Sequence, residues 1–302
     1  MKPIKISIVA SYDKHRREGM SLRLKSELSI ERAEYTQPAK MLVVSDIEGN
    51  FKAFRRLLIN SGVINRQYQW TFGDGHLVVL GDCFDRGSEV LECLWMIYSL
   101  EERAFNKGGH VHFILGNHEI MNLNGDWRYV HPRYVKQEGE NISHTALYDG
   151  SNELWRWLYT KNIMERIGEI LFVHAGISRE LNQLPYSIRE INLLARPYYT
   201  SAQQIDAKPH LGILFDSENS PFWYRGYYNG SATEDIVDET LAKFNVGTIV
   251  TGHTVVEKVG CYFNKKVINV NTDHAAEISE ALLIKGNQYY RVDGWGNREK
   301  IK

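Results

Sequence analysis

Residues 76–90 read HLVVLGDCFDRGSEV. An apolar run, Leu77 to Leu80, stops at Gly81 and gives way to Asp82, Asp85, Arg86 and Gly87, after which Ser88 opens an amphipathic stretch. A nearly continuous Val/Leu run marks a strand covered on both faces, which requires further layers above and below it. Two carboxylates and a guanidinium between glycines are costly to bury unless each has a partner or a cation.

The same grammar recurs along the chain. Apolar β-type runs appear as IKISIVAS, MLVVSD, HVHFILGN, EILFVHAG, VGTIVTGHT, KVINVNTD, EALLIKG and QYYRVDG. Helical stretches lie between them. NFKAFRRLLINSG places Phe51, Phe54, Leu57 and Leu58 at helical spacing, with Gly62 as the C-cap. SEVLECLWMIYSLEERAFNKGG predicts a helix with Ser88 as N-cap, closing on Gly108 and Gly109. SNELWRWLYTKN and EDIVDETLAKFN read the same way. Strands alternating with helices predict an α/β fold. No linker divides the chain, so residues 1–302 read as a single domain. Residues 1–39 form a polar N-terminal segment holding one strand. Residues 178–235, richer in polar and aromatic residues and less periodic, read as a cover over a site.

The bulk composition narrows the classes. Of 302 residues, 43% are hydrophobic and 24% charged, with a formal net charge of -1, which is ordinary for a globular protein. No basic field points to nucleic acid and no acidic excess to disorder. The cysteines, Cys83, Cys93 and Cys261, are odd in number and lack C-x-x-C spacing, which argues against a disulfide framework or a cysteine zinc site. No run approaches the roughly 18 apolar residues of a membrane span. The N-terminal stretch MKPIKISIVASYDKHRREG turns polar too early for a signal peptide, and the expected compartment is the cytoplasm.

Several strands finish in metal-binding chemistry. The candidates are Asp46 and Glu48, then Asp82 and Asp85, then Asn117, His118 and Glu119, and finally His174 and His253. Ligands of open α/β sheets bind outside the carboxyl ends of strands. Asp46 and Glu48 stand two apart, so extended backbone would point both the same way. Taken singly these signals are weak. An Asp-x-Glu after a strand is ordinarily a solvated turn, G-N-H-E can be a helix cap, and a single histidine is commonly structural. G-D-x-x-D-R-G fixes five positions of seven, and all the patterns occurring together after strands is a poor candidate for chance. Oxygen and imidazole donors without sulfur suit Mn²⁺, Fe²⁺, Zn²⁺ or Mg²⁺. More than four ligands implies two ions bridged by a carboxylate such as Asp82, about 3.5–4 Å apart.

The stretches DIEG, GDCFDRG, GNHE, VHAG and TGHT resemble the motifs of the phosphoprotein-phosphatase branch of the calcineurin-like metallophosphoesterases. GNHEIMNLNGDWRYV and PFWYRG are similar to the bacterial Shewanella-like phosphatases and the diadenosine-tetraphosphatase-like group. The resemblance spans about residues 40–275. It implies an αββα fold, a central two-sheet β-sandwich flanked by helices. It implies one metal held by Asp46, Glu48 and Asp82, and a second held by Asp82, Asn117, His174 and His253. Arg86 and Arg225 become phosphate clamps, His118 the general acid and Asp85 its orienting carboxylate. Asn117 and Arg128 join Arg86 and Arg225 in the substrate-binding set.

One departure stands out: where the family's first motif has His, this chain has Glu48. Three carboxylates favour a hard cation, so Mn²⁺ leads over Mg²⁺, Fe²⁺ or Zn²⁺. The expected activity is phosphomonoester hydrolysis, on phosphorylated protein side chains or small phosphoesters, by metal-activated water and without a covalent phosphoenzyme. Nucleic-acid and membrane partners are not expected. Two alternatives remain open: hydrolysis of dinucleoside polyphosphates, with Trp127, Tyr129, Trp223 or Tyr224 stacking on a base, and an inactive metal-binding scaffold. Cys83 and His274 read as structural, and His110, His112, His131 and His144 carry no motif.

Overall fold

The computed structural model describes residues 5–11, 17–134, 150, 152–207, 209–276 and 278–302; His144 lies outside them. Its centre is a pair of six-stranded mixed sheets. The strands are β1 Lys5–Ser11, β2 Arg17–Arg23, β3 Glu34–Tyr35, β4 Lys40–Val44, β5 His76–Val79, β6 His110–Phe113, β7 Met164–Ile167, β8 Ile170–Val173, β9 Thr248–Thr251, β10 Gly260–Tyr262, β11 Val267–Asn269, β12 Glu280–Lys285, β13 Gln288–Asp293 and β14 Arg298–Lys300. One sheet runs β10-β11-β9-β8-β7-β3, the other β14-β13-β12-β4-β5-β6. β4, β5 and β6 are mutually parallel, as are β8, β9 and β11. Their carboxyl ends therefore gather at shared edges, which is where the sequence places its polar clusters.

Alternation along the strands builds two kinds of core. Met41 and Val43, Val78, Phe172, Val250, Ile268 and Leu282 are buried in the seam between the sheets. Their neighbours Leu42, Val44, Leu77, Val79, Leu171 and Ile249 face the other way and belong to the cores under the helices. Both faces of each central strand are thus covered, which accounts for the nearly continuous apolar runs. Helix α1, Phe51–Asn60, buries Phe51, Phe54, Leu57 and Leu58, and the chain leaves it through Gly62 at φ +79°. That conformation suits glycine, since it has no Cβ to clash.

Helix α2, Val90–Phe105, begins later than the sequence suggests. Glu89 takes the N-cap position, and Ser88 instead offers its carbonyl to Arg133 Nη1 at 2.7 Å and the Tyr134 hydroxyl at 2.8 Å. The expected cap fails because the loop before α2 answers to the residues beyond α3, Asn117–Leu123. The N-terminal segment also differs: it carries three strands rather than one. β1 and β2 form an antiparallel hairpin and β3 pairs with β7 at the edge of a sheet.

A buried ion cluster ties that segment to the body. Lys161 is 1% exposed; its Nζ lies 2.8 Å from Glu31 Oε1 and 2.7 Å from Glu101 Oε1. Burial pushes the Glu31 carboxyl up, but Lys161 overrides it and the group settles at about 2. Lys161→Ala takes the buried cation from Glu31 and leaves Glu101 to Lys25 and the Trp157 indole N–H. The expected cost is about 3–5 kcal/mol, read as a lower urea midpoint with unchanged m-value.

Candidate functional site

Asp46 follows β4, Asp82 and Asp85 follow β5, Asn117 and His118 follow β6, His174 follows β8, and His253 follows β9. The structure brings them together across the seam. Asp46 Oδ2 accepts the backbone N–H of His253 at 3.0 Å, and Asp82 Oδ2 lies 3.2 Å from His174 Nε2. Each contact joins one sheet to the other.

The backbone at these positions is unusual. Asp46, Glu48, Asp82, Asp85, Arg86 and His253 all have left-handed φ, between 47° and 69°. Such conformations cost about 1–3 kcal/mol each for residues with a side chain, so the surroundings must enforce them. The enforcement is visible. Glu48 N–H donates to Asp82 O at 2.8 Å, Gly49 N–H to Cys83 O at 3.0 Å, and Gly87 N–H to Glu48 O at 2.9 Å. Asp46 and Glu48 are therefore not aligned by an extended pleat, as their spacing suggests. Paired turns laced to the loop after β5 set their directions.

Glu119 completes the lacing. Its fully buried carboxylate accepts N–H bonds from Asp82 and Gly116 through Oε2, at 2.8 and 2.7 Å, and from Cys83 through Oε1, at 2.8 Å. Two glycines let the walls close. A Cβ on Gly116 would stand 2.3 Å from Asp82 Oδ1, and one on Gly252 would stand 2.6 Å from Asp46 Oδ2.

The donors point inward. His174 Nδ1 gives its proton to Leu80 O at 2.5 Å, which turns Nε2 toward Asn117 Oδ1 at 3.0 Å and Asp82 Oδ2. His253 Nε2 is buried and makes no hydrogen bond. Ligand atoms of Asp82, His174 and His253 lie within 4.8 Å of one another, and so do those of Glu48, Asp82 and His118. Asp82 is common to both groups. Asp46 sits beside them, its Oδ2 also bonded by the Ser45 hydroxyl.

Charge builds up accordingly. Burial, with the repulsion of Asp82, raises Asp46 to about 6; burial and Asp46 raise Glu48 to about 8. Asp82 goes the other way: burial pulls it up, but the His174 and His118 cations hold it well below the usual range. Burial opposes charge on His118 and His174, yet Asp82 dominates and both rise to about 9. Crowded carboxylates, converging lone pairs and an orphaned imidazole nitrogen fit a divalent cation better than any neutral filling.

His118 is held at both ends. Its Nδ1 lies 2.6 Å from Asp85 Oδ2, and its backbone N–H donates to Asp82 Oδ1 at 2.9 Å. Asn122, one helical turn after His118, bonds the other Asp85 oxygen at 2.9 Å. The opening G-D-x-x-D-R-G stretch thus has a partner for each charge, since Arg86 Nε pairs with Glu48 Oε1 at 3.1 Å and keeps its guanidinium largely exposed. Arg225 reaches the same mouth, donating to Thr254 Oγ1 at 3.2 Å. Arg128 stands exposed at the rim, its guanidinium bound to both Asp126 oxygens. His274 is buried behind Asp46, with its nitrogens against Ser45 O and Ser279 Oγ, and Cys83 is buried. Asn122 and Ser45 escaped the sequence reading. The i, i+4 spacing from His118 was the signal for the first; nothing marked the second.

The sequence profile of the calcineurin-like phosphoesterases matches residues 39–257. The chain belongs to that family. A calcineurin-like phosphoesterase is a hydrolase acting on phosphoric esters, and the two sheets flanked by helices match its fold. The chain is 36% identical to a cold-active protein-tyrosine phosphatase from a psychrophilic Shewanella species, whose crystal structure superposes with a TM-score of 0.89 over 97% of this chain and 90% of that one. It is 30% identical to an uncharacterized protein of Schizosaccharomyces pombe over 74% of its length, and 26% identical to Shewanella-like protein phosphatase 1 of Plasmodium berghei over 77%. It spans 69% and 66% of those two relatives. Among the described residues no helix is long and apolar enough to cross a membrane.

If this cluster takes cations, chelator-stripped protein will gain stability with added Mn²⁺. An ion at a hundredfold excess over its Kd adds about 2.7 kcal/mol. Calorimetry should show Tm rising with Mn²⁺ in the wild type and staying flat in Asp82→Asn, with the metal content of the variant lower.

Proposed function

We propose that the protein is a dinuclear metallophosphatase that hydrolyses phosphomonoesters, with phosphorylated protein side chains as its substrates. The observation that carries this reading is Asp82, common to two clusters of ligand atoms, with the His118–Asp85 pair and Arg86 beside it. Asp46, Glu48 and Asp82 would hold one cation, and Asp82, Asn117, His174 and His253 the other. When bound, such a pair supplies an acidified water and screens the charge on the phosphoryl oxygens. Manganese suits the carboxylate-rich first set, and a cytoplasmic location suits the free thiols.

The chain's own residues do the rest. Arg86 and Arg225 offer paired N–H donors to the phosphoryl oxygens, a geometry a lysine cannot match. Asn117 and Arg128 line the approach. His118 carries a proton on Nε2 for the departing oxygen; Asp82, then Asp85, favours the charge on its ring, and Asp85 aims it. Water attacks phosphorus directly, so no protein side chain is phosphorylated. The names of the relatives, a protein-tyrosine phosphatase and a protein phosphatase, favour a phosphoprotein substrate. One observation supports a second reading: Trp127 and Tyr129 are 41% and 48% exposed beside the site and could stack on the base of a dinucleoside polyphosphate.

Comparing turnover on phosphopeptides and diadenosine tetraphosphate separates the two, and faster release from the peptide is expected. His118→Asn should lower kcat on a phosphopeptide by about 10²–10⁴. Acid quench during turnover of a ³²P-labelled peptide should leave no label on the protein; a trapped phosphoprotein would contradict direct attack.

A further inference from the structure

We infer that Tyr129 is the positioning residue that aims His118 at the leaving-group oxygen. The inference rests on the phosphomonoesterase reading above. Asp85 and Asp82 fix the Nδ1 corner and the backbone of His118, but neither bond opposes a rock of the ring about the line joining its Cβ to the Nδ1 bond, and Asp82 Oδ2 stands 3.9 Å from Nε2, too far to bond it. Rocking swings Nε2, the atom that must meet the departing oxygen. Tyr129 is placed to stop it. Its ring stands 5.4 Å from the imidazole, centroid to centroid, tilted by 60° in an edge-on contact.

The loop after α3 is built to deliver that ring. Asp126 N–H donates to Met121 O at 2.9 Å, and Val130 N–H closes a turn on Trp127 O at 3.1 Å. The Tyr129 carbonyl then accepts the N–H of Arg86 at 2.9 Å, joining the loop to the left-handed stretch that carries the phosphate clamp. The guanidinium carbons of Arg86 and Arg128 lie 6.0 and 5.7 Å from the ring centroid. A ring attracted by two cations is held in place without being buried. The exchange between Arg128 and Asp126 also gains a purpose: the ion pair keeps Arg128 near Tyr129 rather than leaving it loose over the mouth. At 48% exposure the ring adds little to the core, so its removal should spare the fold.

The test is leaving-group dependence. p-Nitrophenolate departs without a proton, whereas phenolate needs one, so only the second ester reports the aim of His118. Wild type, Tyr129→Ala and Tyr129→Phe are compared on both esters, with Tm measured to confirm folding. Tyr129→Ala should lose about tenfold or more in kcat on phenyl phosphate and less than about threefold on p-nitrophenyl phosphate, with KM little changed. Tyr129→Phe, which keeps the ring, should stay within about twofold of wild type on both. Equal losses on the two esters, no loss on either, or a Phe variant as impaired as Ala would overturn the assignment while leaving the phosphatase reading intact. A wild type that splits neither ester would overturn both.

Discussion

The structure depends on Glu119 more than on any ligand candidate. Its two carboxylate oxygens accept three backbone N–H groups from the loops after β5 and β6, in a position closed to water. Backbone N–H groups at such a depth must find acceptors. Here the acceptor comes from a side chain, since the chain has left both strands. The clamp fixes Asp82 and Gly116 relative to each other, and therefore the two loops that supply Asp82, Asp85, Asn117 and His118. The left-handed backbone at Asp82, Asp85 and Arg86 persists because these bonds and the lacing to Glu48 and Gly49 hold it.

From that frame follows the electrostatics. Asp46, Glu48, Asp82 and Asp85 converge from two strand ends, and His118, His174 and Arg86 oppose them from within. Asp82 wins its charge because both histidines face it; burial, with too little opposing charge, raises Asp46 and Glu48. The glutamate that stands where the family has a histidine takes part in this balance. Glu48 both adds negative charge near Asp82 and pairs with Arg86, so it links the cluster around Asp82 to the exposed guanidinium at its mouth. A histidine at that position could not hold Arg86 in the same way.

The polar ends of β4, β5, β6, β8 and β9 were legible in the sequence because each breaks an apolar run with residues that fit no core. The α/β class was legible for the same reason. The sandwich itself was not, since alternation shows that both faces are covered but not what covers them; it came from family resemblance. Local rules failed where distant contacts decide. Ser88 lost its cap to the loop bearing Arg133 and Tyr134, and the pleat argument for Asp46 and Glu48 failed because turns laced to another loop replaced extended chain. Of the two extra strands near the N-terminus, β3 was hidden because it is two residues long and is defined by its partner β7, and β2 because REGMSLR lacks an apolar run and is defined by its pairing with β1. Tyr129 was read only as a possible base platform, since nothing in GDWRYV reveals that its carbonyl meets Arg86.

The central claim is that Asp82 is a pivot shared by two cations. Anomalous diffraction from crystals grown with Mn²⁺ tests it most directly. The account predicts two peaks about 3.5–4 Å apart with an Asp82 oxygen between them, Glu48 against one and His174 and His253 against the other. A single peak, or a pair that Asp82 does not touch, would contradict it.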